Sequence, residues 1–355
     1  MSRPARVEID VSAAMHNLST IRSMIGSSKI LAVVKADAYG HGLDLITNGF
    51  ADADALGVVS TDEAIALREL NVSHRIVLLE GFFEKEELDI IRDFRLESVI
   101  HSHAQIEMLS QSKMTLSNIW LKVDTGMNRL GFDVAFLDDA YRRLRPLSNN
   151  IILMSHLANA NLPNDLNVEE QIKKFGDVTL KYSNEKSLAN SGGVLKWPSS
   201  YFDWVRPGLI LYGVSPFPGV TGESLGLKPV MRVLSNLISV RDVKAGEHVG
   251  YGGDYVCPED MIIGVAAYGY ADGYPRRLEA GPPVLVGNTK AKIVSSSMDM
   301  MILDLRGVDN PSVGDEVTLW GQSLPVEEVS TELDTIPYDL LCSVRRRSRH
   351  RELMV

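Results

Sequence analysis

Short apolar runs, each followed by a stretch with helical spacing, organise the chain up to about residue 226. They fall at 30–34, 55–60, 75–80, 98–101, 118–124, 151–156, 187–190 and 210–213. Strands separated in this way by amphipathic helices pair in parallel, so the pattern predicts an α/β fold, a (β/α)8 TIM-type barrel. A doubly wound sheet carries the same periodicity, and the pattern alone does not decide closure. Ahead of the first run, 4–10 reads as a strand, and Val11, Met15, Leu18, Ile21 and Ile25 repeat at helical spacing before Gly26. Ser60 with Glu63 and Ser102 with Gln105 carry the spacing of a capping box, each directly after a strand.

Beyond about Leu227 the helical spacing largely disappears. Runs rich in β-branched residues at 235–240, 261–267 and 316–319 alternate with turn signals such as Asp272-Gly273, Gly281-Pro282-Pro283 and Gly287-Asn288. This texture predicts a mainly antiparallel β domain. The expected division is 9–226 for the barrel and 227–355 for the β domain, with the strand within 1–8 joining the latter.

Composition narrows the partners. A net charge of -10 argues against nucleic acid or an anionic membrane surface. The basic run from Arg345 to Arg351 reads as a solvated terminal segment. Two cysteines, Cys257 and Cys342, make a disulfide framework and a CxxC metal site unexpected, and both read as small buried residues. No apolar run approaches the roughly 20 residues needed to span a bilayer, and the amino terminus lacks the apolar core of a signal peptide. A cytoplasmic location is therefore expected.

The candidate chemistry starts at Lys35, which ends the run 30–34 and opens the turn Ala36-Asp37-Ala38-Tyr39-Gly40-His41-Gly42. In a parallel barrel the carboxyl ends of the strands open onto the catalytic face. Partial burial there would free an amine able to attack an aldehyde, which is what pyridoxal phosphate requires. A strand-end lysine that merely snorkels to water has the same local sequence. Asp124-Thr125-Gly126 in isolation suggests an aspartic protease, but that chemistry needs a second such carboxylate, and none is present.

The stretch Val33-Val34-Lys35-Ala36-Asp37-Ala38-Tyr39-Gly40-His41-Gly42 resembles the cofactor-lysine motif of the alanine racemase family, and further matches carry the resemblance from Ala32 to Tyr338. It implies that Lys35 binds pyridoxal phosphate and that Tyr39 contacts the cofactor phosphate, while His41 is a turn residue. In Lys122-Val-Asp124-Thr-Gly-Met-Asn-Arg129-Leu-Gly131 it implies that Arg129 bonds the cofactor's phenolate oxygen near the substrate carboxylate. Lys122 occupies a position that is carbamylated in some members. His156, in Ser155-His156-Leu-Ala-Asn-Ala-Asn161, is implied to tune the catalytic tyrosine and the cofactor-facing arginine. Ser191, Gly208 and Leu209 are implied to hold phosphate. Arg206 faces the pyridine nitrogen in the family and, because an arginine keeps its proton, leaves that nitrogen unprotonated. This suits racemisation, whereas the related barrel decarboxylases place a carboxylate there.

In the second domain the resemblance makes Tyr251 the base on the opposite face of the substrate, reaching the cofactor from the partner subunit of a homodimer. Met298 and Asp299 would help bind the substrate carboxylate, Tyr270 and Tyr338 would line an entrance corridor, and Tyr338 would also reach the phosphate. Asn161 and Ser295 depart from the family, where an acidic residue and an arginine are usual, and this implies a less charged entrance. The implied activity is interconversion of L- and D-alanine, supplying D-alanine for peptidoglycan. A serine or broad-range racemase, a barrel decarboxylase and a non-catalytic pyridoxal phosphate carrier are the alternatives. No metal is expected.

Overall fold

The computed structural model describes residues 3–162, 165–276, 278 and 281–353. The chain divides into two compact units, residues 15–38 with 47–211, and residues 1–14 with 39–46 and 212–355.

The first unit is a closed parallel barrel of β2 (Lys29–Val33), β3 (Ala55–Val58), β4 (Arg75–Leu78), β5 (Glu97–Ile100), β6 (Leu116–Lys122), β7 (Ser148–Met154), β8 (Lys186–Ser187) and β9 (Trp204–Val205). Closure comes from β9 pairing with β2, Lys29 opposite Trp204 and Ile30 opposite Val205. Most of the strands carry a buried apolar run because helices cover the outer face and packed side chains fill the inner one. Inside, Trp120 and Trp204 meet edge to face at 5.3 Å. The buried carboxylate of Glu97 is satisfied by Arg75, Asn118 and the Trp120 indole.

The first seven barrel strands lie on the predicted runs, but the eighth does not. The run 210–213 holds a 3-10 helix, Leu209–Tyr212, and the eighth strand is the two-residue β9 upstream of it. Both capping-box serines accept a hydrogen bond from the predicted N3 amide, Ser60 from Glu63 and Ser102 from Gln105. The reciprocal half differs. Glu63 and Gln105 reach back to the amides of Val59 and His101, one residue before the cap.

The second unit is built on β10 (Met231–Val243), which pairs antiparallel with β1 (Arg6–Ile9), β13 (Met261–Ala266) and β17 (Glu316–Trp320). β10, β13 and β17 close a ring with β14 (Pro283–Val286), β15 (Thr289–Ser296) and β16 (Met301–Asp304), while β1 extends from β10 and carries β18 (Arg349–Glu352) in parallel at its outer side. Register shifts along β10 let one strand serve both ends of the ring. Gly287-Asn288 is the tight hairpin turn predicted, with Val286 opposite Thr289 and Gly287 at φ 57°.

Two expectations fail here, and a third holds only in part. Two short helices, Val326–Glu332 and Pro337–Ser343, sit in a region read as almost without helix. Cys342 lies on the second of them and is exposed; of the two free cysteines only Cys257 is buried. The arginines of the run Arg345–Arg351 are exposed, as a solvated segment requires, but the run is no loose tail: Arg346 pairs with Asp44, Arg347 with Asp299 and Arg351 with Glu8, and part of it forms β18.

Candidate active site

At the carboxyl end of β2 the chain enters a turn, Lys35–Tyr39, that is left-handed. Ala36, Asp37, Ala38 and Tyr39 have φ between 51° and 55°. Each non-glycine residue in this conformation costs about 1–2 kcal/mol, so the surroundings must hold the turn in place. Glu63 does so: Oε1 accepts the Ala36 amide at 2.7 Å and Oε2 accepts the Val59 amide at 2.8 Å. Sequence reading recognised Glu63 only as half of a helix cap. Glu63→Gln leaves one of the two amides facing an NH2 group, and we expect about 1–3 kcal/mol of lost stability, read as a lower denaturant midpoint at unchanged slope. An unchanged midpoint would show that the carboxylate is dispensable for the turn.

Lys35, half-buried at the start of this turn, has no hydrogen-bond partner among the described residues. Other cations gather at the same end of the barrel. Arg206 follows β9 and is only 3 % exposed. It donates to Ser187 Oγ and the Ser155 carbonyl, both at 2.6 Å, and to His156 Nδ1 at 3.2 Å. Its Nε–H has no partner among the described residues. Burial pulls the guanidinium down to about 9, still above neutrality, so it stays charged without a carboxylate beside it.

His156 follows β7. Burial and then the charges of Arg206, Lys122, Arg129 and Lys35 hold its pKa well below the ordinary histidine value. An arginine only donates, so Nδ1 accepts, and Nε2 lies 3.4 Å from the Asn190 side-chain amide nitrogen. A base with a depressed pKa stays unprotonated at every pH above that value. The ring resonances of His156 should therefore be constant between about pH 6 and 8, where an ordinary histidine titrates. A titration step in that interval, followed by NMR, would contradict this.

Lys122, the last residue of β6, is buried, and desolvation followed by repulsion from Arg206 and Arg129 lowers it to about 8. Arg129 is exposed and has no partner among the described residues. Ser191 begins the helix Ser191–Lys196, capped by the Asn190 side chain on the Gly193 amide. Its hydroxyl accepts the Gly208 N–H at 3.0 Å, just ahead of Leu209, where the 3-10 helix starts. At this end of the barrel the charges of Lys35, Lys122, Arg129 and Arg206 act on His156, and Ser191 meets Gly208 beside Leu209.

The second unit holds the rest of the predicted set. Tyr39 packs against both Tyr212, at 4.9 Å, and Tyr338, at 5.7 Å, with tilted rings. Burial raises both phenols, Tyr338 to about 12 and Tyr39 further, and neither hydroxyl has a partner among the described residues. Both are therefore protonated donors. His41 is more than a turn residue: it is fully buried against Tyr212 at 4.4 Å, and its Nδ1 lies 3.0 Å from the Tyr39 carbonyl. Gly40, at φ 76°, has no room for a side chain, since a Cβ would lie 2.1 Å from the Leu341 carbonyl oxygen.

Tyr251 stands on a glycine turn between β11 (His248–Val249) and β12 (Tyr255–Val256) and is 85 % exposed. Beside it a cavity of about 260 Å³ is lined by Gly250, Val265, Ser295, Ser297, Met300 and Ile302. Ser295 is packed closely there, as a Cβ on Gly250 would come 2.2 Å from its Oγ. Tyr270 donates its amide to the Ser297 carbonyl at 3.1 Å, and Met298 and Asp299 form the tip of the β15–β16 hairpin.

The chemistry of this donor set fits pyridoxal phosphate. An unpartnered primary amine, an excess of cations over carboxylates and hydroxyl and amide donors at a helix start suit an aldehyde bearing a phosphate and a phenolate. No cluster of metal-ligating side chains occurs among the described residues, and no helix there is long and apolar enough to cross a membrane.

Comparison with known proteins agrees. Residues 9–216 match the family described as alanine racemase, N-terminal domain, and residues 230–352 the alanine racemase, C-terminal domain. Alanine racemase of Nitrosomonas eutropha is 44 % identical over 354 residues, covering 98 % of both chains. The crystal structure of biosynthetic alanine racemase from Pseudomonas aeruginosa superposes with a TM-score of 0.96 at 40 % identity, over 99 % of this chain and 100 % of that one. Alanine racemase from Bartonella henselae, solved with covalently bound pyridoxal phosphate, has a TM-score of 0.91 at 30 % identity over 99 % of this chain and 100 % of its own. With both domain families matched over 9–216 and 230–352 and a relative 44 % identical over nearly the whole chain, the chain belongs to the alanine racemase family.

Proposed function

We propose that the protein is a pyridoxal phosphate-dependent racemase that interconverts L- and D-alanine and supplies D-alanine for peptidoglycan. The observation that carries this reading is Lys35 and Arg206 converging with neutral His156 at one end of the barrel, the arginine held by neutral partners only. Pyridoxal phosphate, when bound, supplies the electron-withdrawing ring that makes the Cα proton of an amino acid removable.

Lys35 would hold the cofactor covalently and act as the base on one face of the substrate. Ser191, the amides of Gly208 and Leu209, and the hydroxyls of Tyr39 and Tyr338 would receive its phosphate. Arg206 would donate to the ring nitrogen, and its retained proton favours fast return of a proton to Cα over other outcomes. His156 holds Arg206 in place through Nδ1. Arg129 would meet the phenolate and the substrate carboxylate, steadied by Lys122 if that residue is carbamylated; the uncharged form required for carbamylation is about a tenth of the population at pH 7 for an amine titrating near 8.

Tyr251 would be the base on the other face. Its exposure on a single chain supports a role completed by a second copy, so the working form in this reading is a cytoplasmic homodimer in which Tyr251 of the partner subunit completes each site. Met298 and Asp299 would come with it to bind the carboxylate, with Tyr270 in the entrance corridor. The division at about residue 226 into a cofactor-binding barrel and a β domain belongs to the same proposal. The test is incubation of the purified protein with L-alanine and pyridoxal phosphate in deuterated water. Loss of optical rotation with deuterium at Cα is expected, and release of carbon dioxide instead would favour decarboxylation.

A further inference from the structure

The hairpin tip Ser297–Asp299 is held by its carbonyls. The Tyr270 amide donates to the Ser297 carbonyl at 3.1 Å, and the Ala271 amide to that of Met298 at 3.0 Å. The third carbonyl, of Asp299, accepts from Arg3 Nη2 at 2.7 Å. With all three acceptors engaged, the Met298 and Asp299 amides are left as donors without a partner among the described residues. That is the polarity a carboxylate needs.

Arg3 is therefore placed to matter beyond the sheet it precedes. Its fork grips the fully buried Asp272, Nη1 to Oδ1 at 2.5 Å and Nη2 to Oδ2 at 2.6 Å. Asp272 Oδ2 also accepts the Gly269 amide at 2.9 Å, which shapes the Tyr270–Asp272 turn carrying the other two carbonyl contacts. One guanidinium near the amino terminus thus ties the corridor turn and the hairpin tip together. Arg347 adds a second hold, on the Asp299 carboxylate.

We propose that Arg3 is a positioning residue for substrate binding, fixing the Met298 and Asp299 amides in the orientation that receives the substrate carboxylate. This rests on the reading that those two residues bind substrate. No part of the barrel contributes, so cofactor attachment is independent of it. A side chain that orders a binding loop changes KM more than kcat.

The experiment compares wild type, Arg3→Met and Arg3→Lys as cofactor-loaded enzymes. It measures KM and kcat for both alanine enantiomers, cofactor affinity, and hydrogen exchange of the Ser297, Tyr270 and Ala271 amides, the donors that hold the tip. Arg3→Met is expected to raise KM about tenfold, speed exchange at the tip, and leave cofactor affinity and kcat within about twofold. Arg3→Lys, which cannot fork, falls between the two. Unchanged exchange at the tip overturns the anchoring role. Faster exchange with unchanged KM removes Met298 and Asp299 from the substrate site, and with them the proposal, while racemisation by Lys35 and Tyr251 would stand.

Discussion

Replacing Lys35 by alanine is expected to lower alanine racemisation at least about ten-thousandfold, because it would remove both the proposed covalent hold on the cofactor and one of the two proposed proton-transfer groups. Neighbouring amines do not rescue it. Lys122 is buried and flanked by Arg129 and Arg206, and its side chain starts from a different strand. The fold should survive, since the Lys35 side chain makes no hydrogen bond among the described residues and the turn behind it is held by Glu63 through the Ala36 backbone. Racemisation rates, circular dichroism and mass spectrometry of the borohydride-treated protein check the three parts. Activity within tenfold of wild type, or covalent cofactor on another lysine, would displace Lys35 from the centre of the site.

The barrel was legible because both faces of its strands are buried, so apolar runs mark seven of the eight directly. The eighth was misplaced for a physical reason. Trp204–Val205 is too short to leave a period, while Leu209–Tyr212 is apolar because it is fully buried, and burial alone does not distinguish a strand from a 3-10 turn. The helix Val326–Glu332 was missed for a related reason: seven residues hold barely two turns of pattern.

In the site, Lys35, Lys122, His156 and Arg206 could be placed from sequence because each stands at or within two residues of a strand terminus. What holds them there was not legible. The left-handed turn after Lys35 contains no glycine until Gly40, so propensity gives no sign of it, and its support comes from Glu63, 27 positions away from Ala36. Arg206 is likewise fixed by Ser155 and Ser187, residues without any local signal of their purpose. The same is true of Arg3 and Asp272, which meet across 269 positions. Short motifs report which groups take part; the contacts that orient them depend on the closed fold.

Tyr251→Phe separates the two proposed bases, because it removes one hydroxyl while keeping the ring on its glycine turn. Tyr251 is exposed and has no partner among the described residues, so the substitution should cost little stability. With one face lacking its proton carrier, racemisation should fall about 10² to 10⁴-fold, the usual contribution of a positioned acid-base group. Lys35 remains on the other face. In deuterated water the variant should therefore still exchange the Cα proton of one enantiomer with retention of configuration, and leave the other almost untouched. Wild type exchanges both. Mixing Tyr251→Phe with Lys35→Ala supplies a further check that depends on the composite site: a hybrid dimer then has one site lacking both groups and one with both intact. Subunit exchange should restore up to about half of the wild-type rate per hybrid dimer. If Tyr251→Phe loses exchange for both enantiomers equally, the one-base-per-face assignment fails. If the mixture stays inactive although the subunits exchange, lysine and tyrosine of one site come from the same chain.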